Sequence, residues 1–219
     1  MQIKTYIFED PMGNEISTQN SISYYQKEFC GEENKPQPIF ALNKVHLLEN
    51  HDIEEQSIVF LFALDNDHDG LISSADIQKF IETIKKGGLD PNDCDFGFKC
   101  GAFCTEILCK YLLDHGKDSF RIWFDAGISS SFEIKEINDL RFIDDNAVSC
   151  LFDLLQIKSL LGRDFQWVLN MLQRHAESNL KMNLNDEAYD ELVPVETILS
   201  FVTQIANGMV ESYTMLTNH

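Results

Sequence analysis

The chain has 219 residues, of which 44% are apolar, and this length and composition are typical of a folded protein with one large or two small domains. Its 36 acidic residues outnumber its 17 basic ones, and the formal charge of −19 argues against nucleic acid and anionic membrane surfaces as partners. The same charge suits a protein that binds cations, or one that binds a basic segment of another protein.

The N-terminus carries no apolar signal region, since the chain opens with Met1-Gln2-Ile3-Lys4. The longest apolar run, from Ile58 to Leu64, is far too short to cross a bilayer. We therefore expect a cytoplasmic protein without direct membrane insertion. Residues 1–20 contain a turn at Pro11-Met12-Gly13 and are predicted to form an arm outside the core. Two amphipathic helices are predicted next, at residues 21–31 and 39–50.

The most informative stretch of the chain is Asp65–Asp76, which has acidic residues at alternate positions followed by a glycine. This D-x-[DN]-x-[DN]-G spacing is typical of a calcium-binding loop, because Ca²⁺ takes six to eight oxygen ligands. Gly70 occupies the place where such a loop turns sharply with positive φ. An acidic, solvated turn between two helices is the alternative explanation of the same residues.

Six residues of this loop are predicted to bind the ion. Five would contribute side-chain oxygens, in the case of Ser73 directly or through a water molecule, and Leu71 would contribute its backbone carbonyl. The predicted ligands are Asp65, Asp67, Asp69, Leu71, Ser73 and Asp76.

Apolar residues flank the loop on both sides. The run Ile58–Leu64 precedes it, and four residues at helical spacing follow it: Ile77, Phe80, Ile81 and Ile84. Helix, loop and helix together resemble the EF-hand superfamily, whose members include calmodulin-like, neuronal-calcium-sensor-like and calcineurin-B-like proteins. The resemblance implies an all-α fold of paired hands and a role as sensor, buffer or adaptor without catalysis.

Asp76 departs from the family pattern, which usually has glutamate at the twelfth position. Aspartate is one methylene shorter and reaches the ion with one oxygen unless the loop tightens. This favours weaker Ca²⁺ binding, or a site that also accepts Mg²⁺.

The chain has six cysteines, and four of them lie between residues 94 and 109. Their spacing is irregular, and His115 is the only histidine nearby, so a zinc site is not expected. We interpret these cysteines as free thiols that serve as small buried hydrophobic residues.

A helix is predicted from about Ala102 to Leu113, followed by a poor second hand loop at residues 114–125. That loop keeps Asp114, Asp118 and Asp125 but lacks the turn glycine. Its residues Phe120–Phe124 favour a strand, so we expect a β partner for another loop rather than a metal site. A further helix is predicted to start at residues 127–131 and to include Leu140, with a boundary and another capped helix start at Asp144-Asp145-Asn146.

The same frame recurs in the last third of the chain. Counting from Asp153 or from Asp186 again places apolar residues at positions 13, 16, 17 and 20. The ligand positions are lost there, which indicates hands kept for packing. Unrelated amphipathic helix pairs are the alternative. The segment at residues 24–50, with Ile39 at the eighth position, is a candidate decayed hand that pairs with the loop at 65–76.

Together these patterns predict an all-α protein of EF-hand pairs in two lobes, with short β contacts between paired loops. The predicted boundaries are an arm at 1–20, an N-terminal lobe at 21–143 and a C-terminal lobe at 144–219. The predicted function is a Ca²⁺-binding regulatory protein that grips a basic or amphipathic helix of a protein target in an apolar groove. A constitutive structural or adaptor protein is the alternative. An enzyme is not expected, because catalytic motifs are absent from the sequence.

Overall fold

The computed structural model describes residues 35–40, 57–90, 95–154, 165–180, 189 and 191–217. These residues are 72% helical, in seven helices, with two small antiparallel sheets. The prediction of a mainly α-helical fold is therefore confirmed. The chain divides into two compact units, Met1–Lys110 and Tyr111–His219. The predicted arm at 1–20 lies outside the described residues, and the lobe boundary at residue 143 stays a prediction.

The first unit is built around one short β contact. Strand β1 (Gln37–Pro38) pairs antiparallel with β2 (Leu71–Ile72), so that Gln37 lies opposite Ile72. A β contact between this segment and the loop was predicted, but with Ile39 at the eighth position. Ile39 instead donates its N–H to the carbonyl of Gly70 at 3.1 Å, so the predicted frame is wrong by two residues. The helices predicted at 21–31 and 39–50 lie outside the described residues, apart from the buried Ile39 and Phe40.

Helices α1 (Ser57–Leu64) and α2 (Ser74–Lys86) flank this contact. Every described side chain of α1 except Phe60 is buried, which explains why its sequence is apolar all round. Helix α2 is amphipathic and buries the four predicted apolar residues, Ile77, Phe80, Ile81 and Ile84. Phe60 and Phe80 join the two helices through an edge-to-face ring contact at 5.4 Å. Helix α3 (Phe96–His115) follows and contains the helix predicted at residues 102–113.

The second unit contains helix α4 (Lys117–Ser131) where a hand loop was predicted. The predictions of a loop at 114–125 and of a strand at 120–124 are therefore wrong. Five residues of α4 are buried at helical spacing: Phe120, Trp123, Phe124, Gly127 and Ile128. Burial of three aromatic rings on one helix face outweighs the β preference of the individual residues.

A hairpin follows where a helix was predicted. Strand β3 (Lys135–Ile137) pairs antiparallel with β4 (Leu140–Asp144). The two turn residues, Asn138 and Asp139, have φ of 52° and 64°, as a type I′ turn requires. This turn matches the twist of the strands, so the apolar residues that follow Ser131 form strands instead of a helix.

The remaining elements close the second unit. Helix α5 (Asp145–Leu154) follows β4, and helix α6 (Phe165–Leu180) precedes strand β5 (Leu192–Pro194) and helix α7 (Val195–Thr217). Strand β5 pairs with β4, giving a sheet of order β3-β4-β5. Helix α7 packs extensively against α4.

The repeat counted from Asp186 agrees with this structure in part. Val193, its eighth residue, lies in β5, and Ile198 and Val202 are buried on α7. The partner strand of β5 is β4, whereas the eighth position counted from Asp153, Leu160, lies outside the described residues. The helices after β2, β4 and β5 begin two residues after Ile72, Ile143 and Val193, respectively.

Candidate metal centre

The loop between α1 and α2 folds back on its own first residue. Asp65 is fully buried, and its Oδ2 accepts a hydrogen bond from the N–H of Gly70 at 2.9 Å. Gly70 has φ of 86°, in the left-handed region that glycine enters at little cost. The glycine predicted at the turn therefore lets the loop backbone donate a hydrogen bond to Asp65, the first predicted ligand.

His68 also has a left-handed backbone, with φ of 59°. Its ring stacks on Phe62 of α1 at 4.2 Å with an angle of 19° between the planes. This contact fastens the middle of the loop to the preceding helix. Sequence reasoning missed it, although an aromatic residue in the last turn of α1 was a usable signal.

Asp76 is buried at the start of α2 and forms a capping box with Ser73. The Ser73 N–H donates to Asp76 Oδ2 at 2.9 Å, the Ser73 hydroxyl donates to the same oxygen, and Asp76 N–H donates to Ser73 Oγ at 3.3 Å. Asp76 Oδ1 accepts from the N–H of Asn66 at 3.2 Å. Asp76 thus connects the first turn of α2 to Asn66, the second residue of the loop.

Three carboxylates converge in this loop. Ligand atoms of Asp65, Asp67 and Asp76 all lie within 4.8 Å of one another. Asp65 and Asp76 are buried and Asp67 is exposed, so the group is open to solvent on one side. Carboxylate oxygens are the donors that hard divalent cations prefer, and neighbouring carboxylates repel one another when no cation lies between them. A cluster of three acidic residues that can hold a metal ion is therefore present.

The other three predicted ligands are placed differently. Asp69 is exposed, and its Oδ1 accepts from the N–H of Leu71 at 2.8 Å. It does not belong to the group of converging carboxylates. Leu71 lies in β2, and the Ser73 hydroxyl is directed to Asp76. Direct binding by Asp69, Leu71 and Ser73 stays a prediction.

The predicted second loop at 114–125 has no comparable arrangement. Asp125 accepts two hydrogen bonds from the Arg141 guanidinium, at 2.8 and 2.9 Å, and the neighbouring guanidinium charge makes a cation there unfavourable. Within the described residues, the cluster at 65–76 is the one group of three or more potential metal ligands.

No protein-family model, curated protein or solved structure matches this chain. None of the helices in the described ranges combines the length and apolar character that crossing a membrane would require. In the loop at 65–76, two buried carboxylates and one exposed carboxylate form a cluster that can hold a metal ion.

Proposed function

We propose that this chain is an EF-hand regulatory protein that binds one divalent cation and engages a partner protein through an apolar groove. The convergence of Asp65, Asp67 and Asp76 within 4.8 Å is the observation that carries the proposal. The order of structure around it, which is a helix, a six-residue turn, a short strand and a capped helix, supports the same interpretation.

The residues would hold the ion from both ends of the loop. Asp65 directly follows α1, and Asp76 lies in the first turn of α2. A cation shared by these two side chains would link the end of one helix to the start of the next. Asp67, Asp69, the Leu71 carbonyl and Ser73 are the proposed remaining donors, from their positions in the loop.

Asp76 supports Mg²⁺ as an occupant beside Ca²⁺. Both of its oxygens already accept hydrogen bonds, from Asn66 and from Ser73. The Ser73 hydroxyl also donates to Oδ2, so keeping these bonds leaves one lone pair, on Oδ1, for an ion. Mg²⁺ is satisfied by six donors at short distance, whereas Ca²⁺ takes six to eight and commonly uses a bidentate acid at this place.

The proposed partner is a basic, amphipathic helix. The support is electrostatic, since the chain carries −19 formal charges and association of opposite charges is steered at long range. Phe98 of α3 is 74% exposed in the first unit and is a candidate contact for such a helix.

A constitutive structural or adaptor role is the second candidate, and hydrogen bonds within the loop favour it. Gly70 donates to Asp65, and Asn66 and Ser73 donate to Asp76, so protein groups alone close the loop. In that case the ion would stabilise a loop that is already closed and would change the helices little.

Calorimetric titration with Ca²⁺ tests the proposal, first without Mg²⁺ and then with Mg²⁺ at its cytosolic concentration. The informative variant is Asp67→Asn, which removes an exposed ligand charge with little risk to folding. Asp118→Asn is the matched control, since Asp118 is exposed and lies outside the cluster. We expect wild type and Asp118→Asn to bind Ca²⁺ at one site with the same affinity. In Asp67→Asn the affinity of that site should fall at least tenfold. Equal binding by all three proteins, or no binding of either ion, would refute the proposal.

A fluorescent dye that binds apolar surface separates the two roles. Dye binding that increases only with Ca²⁺, with an affinity of about 10⁻⁷–10⁻⁵ M, supports a sensor. Unchanged dye binding together with measurable ion binding supports the structural role.

A further inference from the structure

Two cysteines of α3 lie one helical turn apart on the same face. Cys100 is 6% exposed and Cys104 is fully buried, and both are free thiols. Residues four apart in a helix have Cβ atoms about 5–6 Å from each other. The two sulfur atoms are therefore neighbours in the apolar interior of the first unit.

The two thiols shift each other's pKa in opposite directions. A hydrogen bond from Cys104 lowers the pKa of Cys100, and burial partly opposes this effect. The same hydrogen bond, together with burial, raises the pKa of Cys104 well above its ordinary value. Cys104 is thus the donor and Cys100 the acceptor, and Cys100 is the sulfur that carries the negative charge when the pair loses its first proton.

We propose that Cys100 and Cys104 form a two-coordinate site for a soft monovalent metal ion, Cu(I). Thiolates select soft ions, and the carboxylates of the loop at 65–76 select hard ones, so the two sites are chemically independent. Starting from the two thiols, two S–H bonds break, two metal–sulfur bonds form, and two H⁺ leave. No electron is transferred, and the two thiolates with their Cu(I) ion carry a charge of −1.

The spacing of the pair fits this coordination. A zinc–thiolate bond is about 2.3 Å long, and two bonds of similar length in a line would separate the sulfurs by roughly 4.5 Å. That separation is reached by small side-chain rotations from Cβ atoms about 5–6 Å apart. Zinc fits less well, because it takes four ligands and neither cysteine belongs to a group of three or more potential ligands within the described residues.

The helix also disfavours a disulfide between the two cysteines. A disulfide needs Cβ atoms about 3.5–4.5 Å apart, closer than an intact helix holds residues i and i+4. A disulfide within the pair is therefore disfavoured while α3 is intact, and both cysteines are free thiols, as Cu(I) binding requires.

The test is a Cu(I) competition titration of the reduced full chain, without oxygen, against a chromophoric Cu(I) chelator. The variants are Cys100→Ala and Cys104→Ala. Cys109→Ala is the matched control, because Cys109 is a free, buried thiol of the same helix whose pKa is raised by burial alone. Circular dichroism verifies that each variant is folded. If an alanine variant at residue 100 or 104 does not fold, Cys104→Ser is used in its place, because it also removes one thiol of the pair.

We expect wild type and Cys109→Ala to withdraw one equivalent of Cu(I) from the chelator. Loss of an outer-shell partner of a metal ligand costs roughly 10–100-fold in affinity, so loss of Cys100 or Cys104 should cost more than about 100-fold. A wild-type protein that withdraws no Cu(I) would overturn the proposal. So would variants at 100 or 104 that bind as tightly as wild type, or a Cys109→Ala variant that binds as weakly as they do.

Discussion

Ile143 of β4 and Val193 of β5 lie directly opposite each other in an antiparallel pair, and both side chains are fully buried. A helix begins two residues after each of them, α5 at Asp145 and α7 at Val195. The pair therefore fixes the starting points of two helices relative to one sheet.

Replacing Ile143 by alanine tests the importance of this pair. We expect the free energy of unfolding of the second unit to fall by about 2–4 kcal/mol, because a buried large-to-small change removes apolar contacts and leaves a cavity. Denaturant unfolding followed by tryptophan fluorescence measures it, since both tryptophans of the chain, Trp123 and Trp167, belong to this unit. Ile122→Ala, at a residue 69% exposed, is the control and should change stability by less than about 0.5 kcal/mol. Equal effects of the two changes would contradict the central role of the pair.

Ser73 and Asp76 should act as one unit at the start of α2. Ser73→Ala removes the side chain that accepts from Asp76 N–H and donates to its carboxylate, and we expect a cost of about 1 kcal/mol. In a double-mutant cycle with Asp76→Ala, the coupling should exceed about 0.5 kcal/mol. Hydrogen exchange of the first α2 amides provides the measurement. Gln78→Ala, on the exposed face of the same helix, is the control and should leave the exchange rates of these amides unchanged. Additive effects of the changes at residues 73 and 76 would argue against the capping box.

Two glycines should respond to alanine with opposite signs. Gly70 has φ of 86°, so Gly70→Ala should destabilise the first unit by about 1–2 kcal/mol and weaken ion binding at the adjacent cluster. Gly208 lies on α7 with open space at the position of a Cβ, so Gly208→Ala should stabilise that helix by up to about 1 kcal/mol. Thermal unfolding and Ca²⁺ titration measure the two effects. Tolerance of alanine at 70 would show that the turn does not need a left-handed residue.

The planar guanidinium of Arg141 should account for the contribution of this residue to the stability of the second unit. It pairs with both oxygens of Asp125 and reaches Glu196 at 3.2 Å, and Glu196 also pairs with Arg121. The hydrogen bonds to Asp125 raise the Arg141 pKa, so this residue stays charged over any usable pH range. Arg141→Lys keeps the charge but loses the two-pronged contact.

We expect Arg141→Lys to cost about 1 kcal/mol, and less at high salt, because the group is partly exposed. Tryptophan-detected unfolding at low and high salt is the measurement. Arg174→Lys, on the exposed part of α6, is the control and should be neutral. A loss that does not change with salt would point to packing rather than charge.

The loop at 65–76 and the two helices beside it could be predicted because local signals agreed. Ile77, Phe80, Ile81 and Ile84 have helical spacing, Gly70 marks the turn, and alternate acids mark the loop. All four apolar residues are buried, and three of the predicted ligands converge. The capping role of Asp76 could have been recognised as well, since Ser73 and Asp76 have the spacing of a capping box.

Helix α4 and the hairpin were missed for different reasons. The acids at 114, 118 and 125 suggested a loop, whereas Phe120, Trp123, Phe124 and Ile128 carried a helical period that was not counted. The hairpin depends on the pair Asn138-Asp139, and two residues with positive φ are harder to recognise without a glycine. The register of β1 was set by long-range pairing, which no local pattern reports.

The two outer strands of the β3-β4-β5 sheet are poor templates for a further strand. On one edge, Lys135 and Glu136 of β3 are charged and exposed, which discourages edge-to-edge association. On the other, Pro194 of β5 has no N–H to offer. Strand addition, a common route to both aggregation and peptide capture, is therefore disfavoured at this sheet. Among the described elements of the second unit, the helices are therefore better placed than the sheet edges to bind a partner.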